Sequence, residues 1–387
     1  MVDKLIGDEL VYLDNAATSW LKPESVYVAV ERALREQCGN PGRSGHRLAV
    51  AAGQVLDDAR LLCARLFNAE KPEQIIFTAN ATIAANMVLK GVLNSGDHVI
   101  TSSLEHNAVV RPLHRLEQTG VSVSKVSVDL NQGILINVLE QVVTAQTKLL
   151  ICNHISNVFG TINDLEQIGR FCRERGILFA VDAAQSAGCR KIDVQAMFID
   201  FLIFSGHKSL FGPQGTGGLY LRPDLRLETI LEGGTGNRSE LLEQPEQLPY
   251  RLESGTPNTS GLAGLSAGIR FILETGIETI TEKEKQLVNR LLTGLYEISG
   301  IYIIGPKPEF ERGCVVSVQL EKFSPAQAAS ILDSSFNIAV RSGLHCAADA
   351  HRFMNTLKNG GTLRISPNYF NENQHIDSCL DALRKLS

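Results

Sequence analysis

The 387-residue chain has one tryptophan, no Cys-x-x-Cys pair and no apolar run near the length a membrane helix needs. Runs such as Leu149-Leu150-Ile151-Cys152 are strand-sized. Excess basic charge is also missing. Lys and Arg number 37 against 42 Asp and Glu, a formal charge of −5, which argues against a nucleic-acid-binding protein. The eight cysteines, at 38, 63, 152, 172, 189, 314, 346 and 379, support neither a zinc module nor a thioredoxin-like motif. Most lie in apolar runs and read as small core residues; Cys346 does not. Met1-Val2-Asp3-Lys4 carries no basic and apolar leader, and neither end shows a lipidation motif. A cytoplasmic location with no membrane partner is therefore expected.

What is present is a rhythm of strands and helices. Between Gly45 and Leu66, Leu48, Val55, Leu56, Ala59, Leu62, Cys63 and Leu66 recur at helical steps. Short apolar runs follow at Gln74–Phe77, His98–Thr101, Val121–Val126, Lys148–Asn153, Leu178–Val181, Phe201–Phe204 and Gly218–Leu221. Several are continuous rather than alternating, as in strands buried on both faces of a parallel sheet. Helical patterns lie between many of them, one after a cap at Asn163 or Asp164. This is the α/β pattern, with helices on both sheet faces. Residues 233–261 read as a long irregular connection, and a long helix is expected from about Ile277 to Ile298. Beyond it come strands at Cys314–Leu320, near Ile338–Arg341 and near Thr362–Ser366, with a helix near Pro325–Asp333. The expected division is an N-terminal segment (1–20) near the active site and small domain, a large domain (21–260), and a small α+β domain (261–387).

In open α/β sheets, ligands sit beyond the carboxyl ends of the strands. The polar residues ending apolar runs there are Asn157, Asp182 with Gln185, and Ser205-Gly206-His207-Lys208. An acid following Phe179-Ala180-Val181 needs a cationic partner if buried, and a desolvated lysine becomes a nucleophile. Taken singly, Asp182 reads equally as a helix cap and Lys208 as a surface lysine. Together they suit pyridoxal phosphate, which uses a lysine for its aldehyde and a carboxylate to keep its ring nitrogen protonated. Gly206-His207-Lys208-Ser209 is not a P-loop, and no G-x-G-x-x-G opens a helix. Asn80-Ala81-Thr82, between a strand and an apolar helix, offers helix-terminal amides to a phosphate, or is an ordinary cap.

From Tyr12-Leu13-Asp14-Asn15-Ala16-Ala17-Thr18 to Leu363-Arg364-Ile365-Ser366 the chain resembles class V aminotransferase-fold pyridoxal phosphate enzymes. Within these it is similar to cysteine desulfurases of the NifS/SufS type. The most specific pieces are Glu105-His106-Asn107-Ala108, Val181-Asp182-Ala183-Ala184-Gln185, Ser205-Gly206-His207-Lys208 and Arg341-Ser342-Gly343-Leu344-His345-Cys346-Ala347. The resemblance implies fold type I, with a large, mostly parallel sheet domain and a smaller C-terminal domain carrying the cysteine loop. It implies that Lys208 holds the cofactor, His106 lies over its ring, and Asp182 pairs with the ring nitrogen. Asn157 and Gln185 would reach the ring hydroxyl, while Ala81, Thr82, Ser205 and His207 would hold the phosphate. Gly255 and Thr256 would reach the phosphate of a neighbouring subunit, which makes a homodimer the expected assembly. Arg364 would clamp the substrate carboxylate, with Asn15, Ala16 and Arg341 beside the substrate.

The activity implied is conversion of L-cysteine to L-alanine, with the sulfur kept on Cys346 as a persulfide for an acceptor protein. Arg341, His345 and Asp349 share the Cys346 loop, and cationic neighbours favour the nucleophilic thiolate. His106 is the expected carrier of the substrate thiol proton. Zinc binding by His345, Cys346 and His351 is a weak third reading, and no metal is expected. Leu344 stands where SufS-type chains carry the first of two histidines. The rival readings are a selenocysteine lyase or another C–S lyase on the same cofactor, then an aminotransferase, then a scaffold without the cofactor.

Overall fold

The computed structural model describes residues 10–42 and 44–387, so the first nine residues of the segment expected at 1–20 lie outside the described residues. The described chain starts with β1 (Val11–Tyr12), and a seven-stranded sheet then takes β2 (Ile75–Thr78), β3 (His98–Ser102), β4 (Ser122–Val126), β5 (Thr147–Asn153), β6 (Leu178–Asp182), β7 (Phe201–Ser205) and β8 (Gly217–Leu221). Their spatial order is β2-β8-β7-β6-β5-β3-β4. Only β8 runs against the others, pairing antiparallel with both β2 and β7. Strands β3, β6 and β7 are buried almost throughout, which explains their continuous apolar runs.

Helices α1 (Glu24–Glu36), α2 (Arg47–Phe67), α3 (Ala81–Val92), α4 (Asn107–Glu117), α5 (Ile136–Glu140), α6 (Leu165–Glu174) and α7 (Thr259–Thr275) accompany this sheet. One core joins one face of the sheet to α2, α6 and α7, and a second joins the other face to α3 and α4. Asp164, not Asn163, caps α6 by accepting from Gln167 N–H at 3.0 Å. Asn163 instead ties Ile134 N–H to the Asn153 carbonyl.

The smaller unit is an antiparallel sheet of β9 (Ile301–Ile304), β10 (Val316–Leu320), β12 (Arg341–Gly343) and β13 (Thr362–Ile365), ordered β12-β13-β10-β9. Short β11 (Ile338–Ala339) pairs with β1, so Val11 and Leu13 join the small unit's core. Around it lie α8 (Ile277–Tyr296), α9 (Pro325–Phe336), α10 (Ala348–Phe353) and α11 (Asn373–Leu386). The large core takes in Leu262, Leu265 and Ile269 of α7 with Ile280, and also Ala347 and Ala350, while the small core joins Val11 and Leu13 to residues from Leu287 of α8 onward. No helix among the described residues is long and apolar enough to cross a membrane.

Candidate active site

The carboxyl ends of β5, β6 and β7 lie side by side, which brings Asn153, Asp182 and Ser205 to one rim of the sheet. A cavity of about 210 Å³ opens there. Its wall holds most of the residues singled out above: Ala16, Ala81, Thr82, His106, Asn157, Asp182, Gln185, Ser205, His207, Lys208, Arg341 and Arg364. Chain positions separated by hundreds of residues converge because the N-terminal segment threads between the two units. Ser19 N–H donates to the His207 carbonyl at 3.0 Å, and Asn15 N–H to the Ser366 carbonyl at 3.1 Å.

Lys208 lies three residues beyond the end of β7. Desolvation lowers its amine to about pKa 8; the Asp182 carboxylate opposes this, and the Arg364 and Arg341 cations add to it. Asp182 is buried, with Oδ1 accepting from Ala184 N–H at 2.9 Å. His106 caps α4 with its ring, whose Nδ1 accepts from Ala108 N–H at 3.0 Å. Burial pushes His106 down to about 4, with Asp182 opposing and Lys208, Arg341 and Arg111 reinforcing. A neutral ring accepting at Nδ1 carries its proton on Nε2. His207 is likewise lowered to about 4, by burial and then by Lys208 and Lys22, and among the described residues its Nδ1 has no partner.

At the other end of the cavity, Asn80 caps α3 by accepting from Ile83 N–H at 3.0 Å. The first-turn amides at Ala81 and Thr82 have no carbonyl partner within the helix and form the positive end of its dipole. An anion fits there. The cavity thus offers what pyridoxal phosphate needs: a low-pKa amine, a buried carboxylate, a neutral histidine and a helix-terminal anion cradle. The orphan Asn153 Oδ1 on the same wall marks a buried polar surface awaiting a partner.

Several residues are committed to protein contacts. Asn157 Nδ2 donates to the His345 carbonyl at 2.7 Å, and the Asn157 carbonyl accepts from Arg364 Nη1 at 2.9 Å. Gln185 Nε2 donates to the Ala16 carbonyl at 2.9 Å. Arg364 is fully buried and its Nη2 meets Asp14 Oδ1 at 2.7 Å. Asp14 had no role in the sequence reading beyond its place in the matching segment.

Asn15, expected beside the substrate, does not line this cavity. Its amide donates to the Ser366 carbonyl and Asn371 Oδ1, and its Oδ1 accepts from Trp20 N–H at 3.0 Å. That set of bonds locks the N-terminal segment onto the small unit. Gly255 and Thr256 also stay outside the cavity and are exposed. Gly255 has a φ of +91°, which favours glycine at that turn.

Cys346 is exposed at the rim, with its Sγ 3.6 Å from Arg341 Nη2. His345 supplies no charge: burial, then Arg364, His351 and Arg341, push it down to about 2. It anchors the loop instead, through Nε2 to the Thr362 hydroxyl at 3.0 Å. The Cys346 carbonyl accepts from Asn107 N–H at 2.7 Å. Asp349 is taken up by Lys125 and Arg352. Among the described residues no three His, Cys, Asp or Glu side chains form a group that could hold a metal ion.

Glu105 was missed as a separate element of the site. It is fully buried, with Oε1 accepting from the Ser102 hydroxyl and from Asn153 N–H at 3.1 Å. Burial pushes its carboxyl up to about 8; the Ser102 and Asn153 hydrogen bonds work against this and the Asp182 charge works with it. A neutral acid thus stands behind Asp182. The signal was an acid inside a run that otherwise reads as a strand end and helix start.

A match to the class-V aminotransferase family spans residues 11–379. A probable cysteine desulfurase of Pyrococcus abyssi is 36% identical over 98% of this chain and 95% of its own length. The chain belongs to the class-V aminotransferases, in the cysteine desulfurase family. The apo structure of the Thermococcus onnurineus cysteine desulfurase superposes with a TM-score of 0.90 at 33% identity, covering 100% of this chain and 97% of that one. The Escherichia coli cysteine desulfurase CsdA gives 0.86 at 30% identity, covering 98% and 94%. Membership in this family makes the chain an enzyme of fold type I, and the family depends on pyridoxal phosphate.

Proposed function

We propose that the chain is a pyridoxal phosphate-dependent cysteine desulfurase that carries the sulfur of L-cysteine on Cys346. The observation that carries this reading is the pairing of a low-pKa lysine and a buried carboxylate in one cavity with an exposed cysteine at its rim. Bound in the cavity, the cofactor supplies an electron sink for charge developing on the substrate. Lys208 would hold the cofactor, and its amine, lowered to about 8, is suited to take and return the substrate Cα proton. Asp182 would pair with the ring nitrogen, and Gln185 and Asn157 would reach the ring hydroxyl. Ala81, Thr82, Ser205 and His207 would hold the phosphate. Arg364, oriented by Asp14, binds the substrate carboxylate, with Ala16 and Arg341 beside it.

In its resting tautomer His106 offers a proton from Nε2. Accepting the substrate thiol proton at Nε2 requires passing its own proton on, so we assign it the return of a proton to the departing carbon skeleton. The net step balances without an oxidant. The Cys346 thiolate takes the substrate sulfur, the substrate C–S bond breaks, an S–S bond forms, and alanine leaves with the proton on Cβ.

The family resemblance and the exposed apolar residues of α1, Tyr27, Val28 and Leu34, support a homodimer. Tyr27 and Leu34 border an apolar groove of about 820 Å³, far larger than the catalytic cavity and with none of its chemistry. Gly255 and Thr256, exposed in one chain, complete the partner's phosphate site in this assembly. A cytoplasmic setting suits the free thiol at Cys346. The test is mass spectrometry after L-cysteine treatment without reductant. One extra sulfur on the Cys346 peptide, removed by dithiothreitol, is the expected result. An unmodified Cys346 in a protein that releases alanine overturns the persulfide step.

A further inference from the structure

Beyond the cavity, Cys346 lies at the end of a basic surface. Asn107, whose N–H holds the Cys346 carbonyl at 2.7 Å, opens α4. Residues four and seven or eight positions further along a helix share its face, which here means Arg111, His114 and Arg115, all exposed. The stripe runs roughly 12 Å along the helix axis away from the thiol. On the other flank, Lys125 of the sheet-edge strand β4 and Arg352 of α10 are exposed and share one carboxylate, Asp349. Arg341 stands beside the sulfur itself. The acids on these elements are Glu117, 3.5 Å from the His114 ring, and Asp349. A local excess of cations on a chain of net charge −5 marks a place where electrostatics select a partner.

We propose that this face docks an acidic polypeptide that presents a thiol to Cys346, with α4 as the steering element. The proposal rests on the persulfide reading above. The partner's thiolate attacks the outer sulfur of the Cys346 persulfide. The new S–S bond forms on the partner, the S–S bond to Cys346 breaks, and its electron pair returns to Cys346 as thiolate. No oxidant or reductant enters. Steering of this kind raises the association rate and weakens with salt, because the charges lie at the solvent-exposed surface.

The experiment uses holoenzyme, L-cysteine and two synthetic cysteine-containing peptides, one flanked by glutamates and one by serines, with dithiothreitol as an uncharged control. Alanine formation and peptide persulfide are read at low and high salt in wild type and in R115Q/R352Q, which leaves the His106 surroundings intact. The expected result is that the acidic peptide drains sulfur faster than the serine peptide at low salt. That advantage falls about fivefold in R115Q/R352Q and at high salt, while dithiothreitol-driven turnover stays the same. Equal rates for both peptides, or an acidic-peptide rate that ignores salt and the double substitution, overturn the docking surface. Absence of any persulfide on Cys346 would instead strike the underlying reading, and the mass measurement on Cys346 tells the two failures apart.

Discussion

Lys208 and Glu105 show how one buried site perturbs two groups for different ends. Lys208 loses its proton near pH 8 because burial and the Arg364 and Arg341 cations outweigh Asp182. A nucleophilic amine must be neutral to capture an aldehyde, so capture of pyridoxal phosphate by apo-protein should accelerate with pH and level off above about pH 8. Stopped-flow absorbance checks this; a rate still climbing at about pH 10 would show an ordinary, solvated lysine.

Glu105 keeps its proton in the folded state up to about pH 8, whereas in the unfolded chain it ionises near 4.5, the ordinary value for a glutamate. Between these values the native state binds more protons, so this group's contribution to stability falls as pH rises across that window. Gln mimics the neutral acid. E105Q should therefore gain on wild type by roughly a few kcal/mol between about pH 5 and about pH 8, read as denaturant midpoints. A gap that does not change with pH would mean that Glu105 is ionised in the fold.

At the scale of elements, the strand ends were legible and the helix packing was not. Strands β5, β6 and β7 end within one residue of the apolar runs because both of their faces are buried, and the polar residue closing each strand (Asn153, Asp182, Ser205) marks where the sheet stops. Helix α1 escaped notice because it leaves Tyr27, Val28 and Leu34 exposed. Helix α7 escaped notice because glycines at 261, 264 and 268 fill the interface that larger apolar residues usually announce. Gly268 lies against the Leu210 backbone, where a side chain has no room. Polar commitments were equally hidden. Nothing local to Asn15 or Asn157 predicts partners hundreds of residues away.

The α3 terminus provides an element-scale test. Asn80→Ala removes the cap and should cost about 1 kcal/mol of stability. It should also weaken binding of pyridoxal phosphate more than that of pyridoxal, since only the former meets the helix end. Equal losses for both ligands, by absorbance titration, would place the anion elsewhere.

At the scale of the whole molecule, two cores meet at α8, and the N-terminal segment bonds to both units. The catalytic wall therefore depends on both units being docked. In the proposed dimer a further requirement arises, because Gly255 and Thr256 there complete the partner's phosphate site. Leu34→Asp, on the exposed face of α1, should shift the protein from dimer to monomer in light scattering and lower its affinity for pyridoxal phosphate. A monomer that keeps full cofactor affinity would show that each chain completes its own phosphate site. The whole-molecule plan was visible in the order of motifs.

The central claim is that sulfur leaves cysteine for Cys346, and alanine formation measures it directly. Wild type with L-cysteine and dithiothreitol should yield alanine matched by sulfide, and Cys346→Ala should lose this activity while keeping its bound cofactor. Alanine produced equally well by Cys346→Ala would contradict the account and make the enzyme a direct lyase.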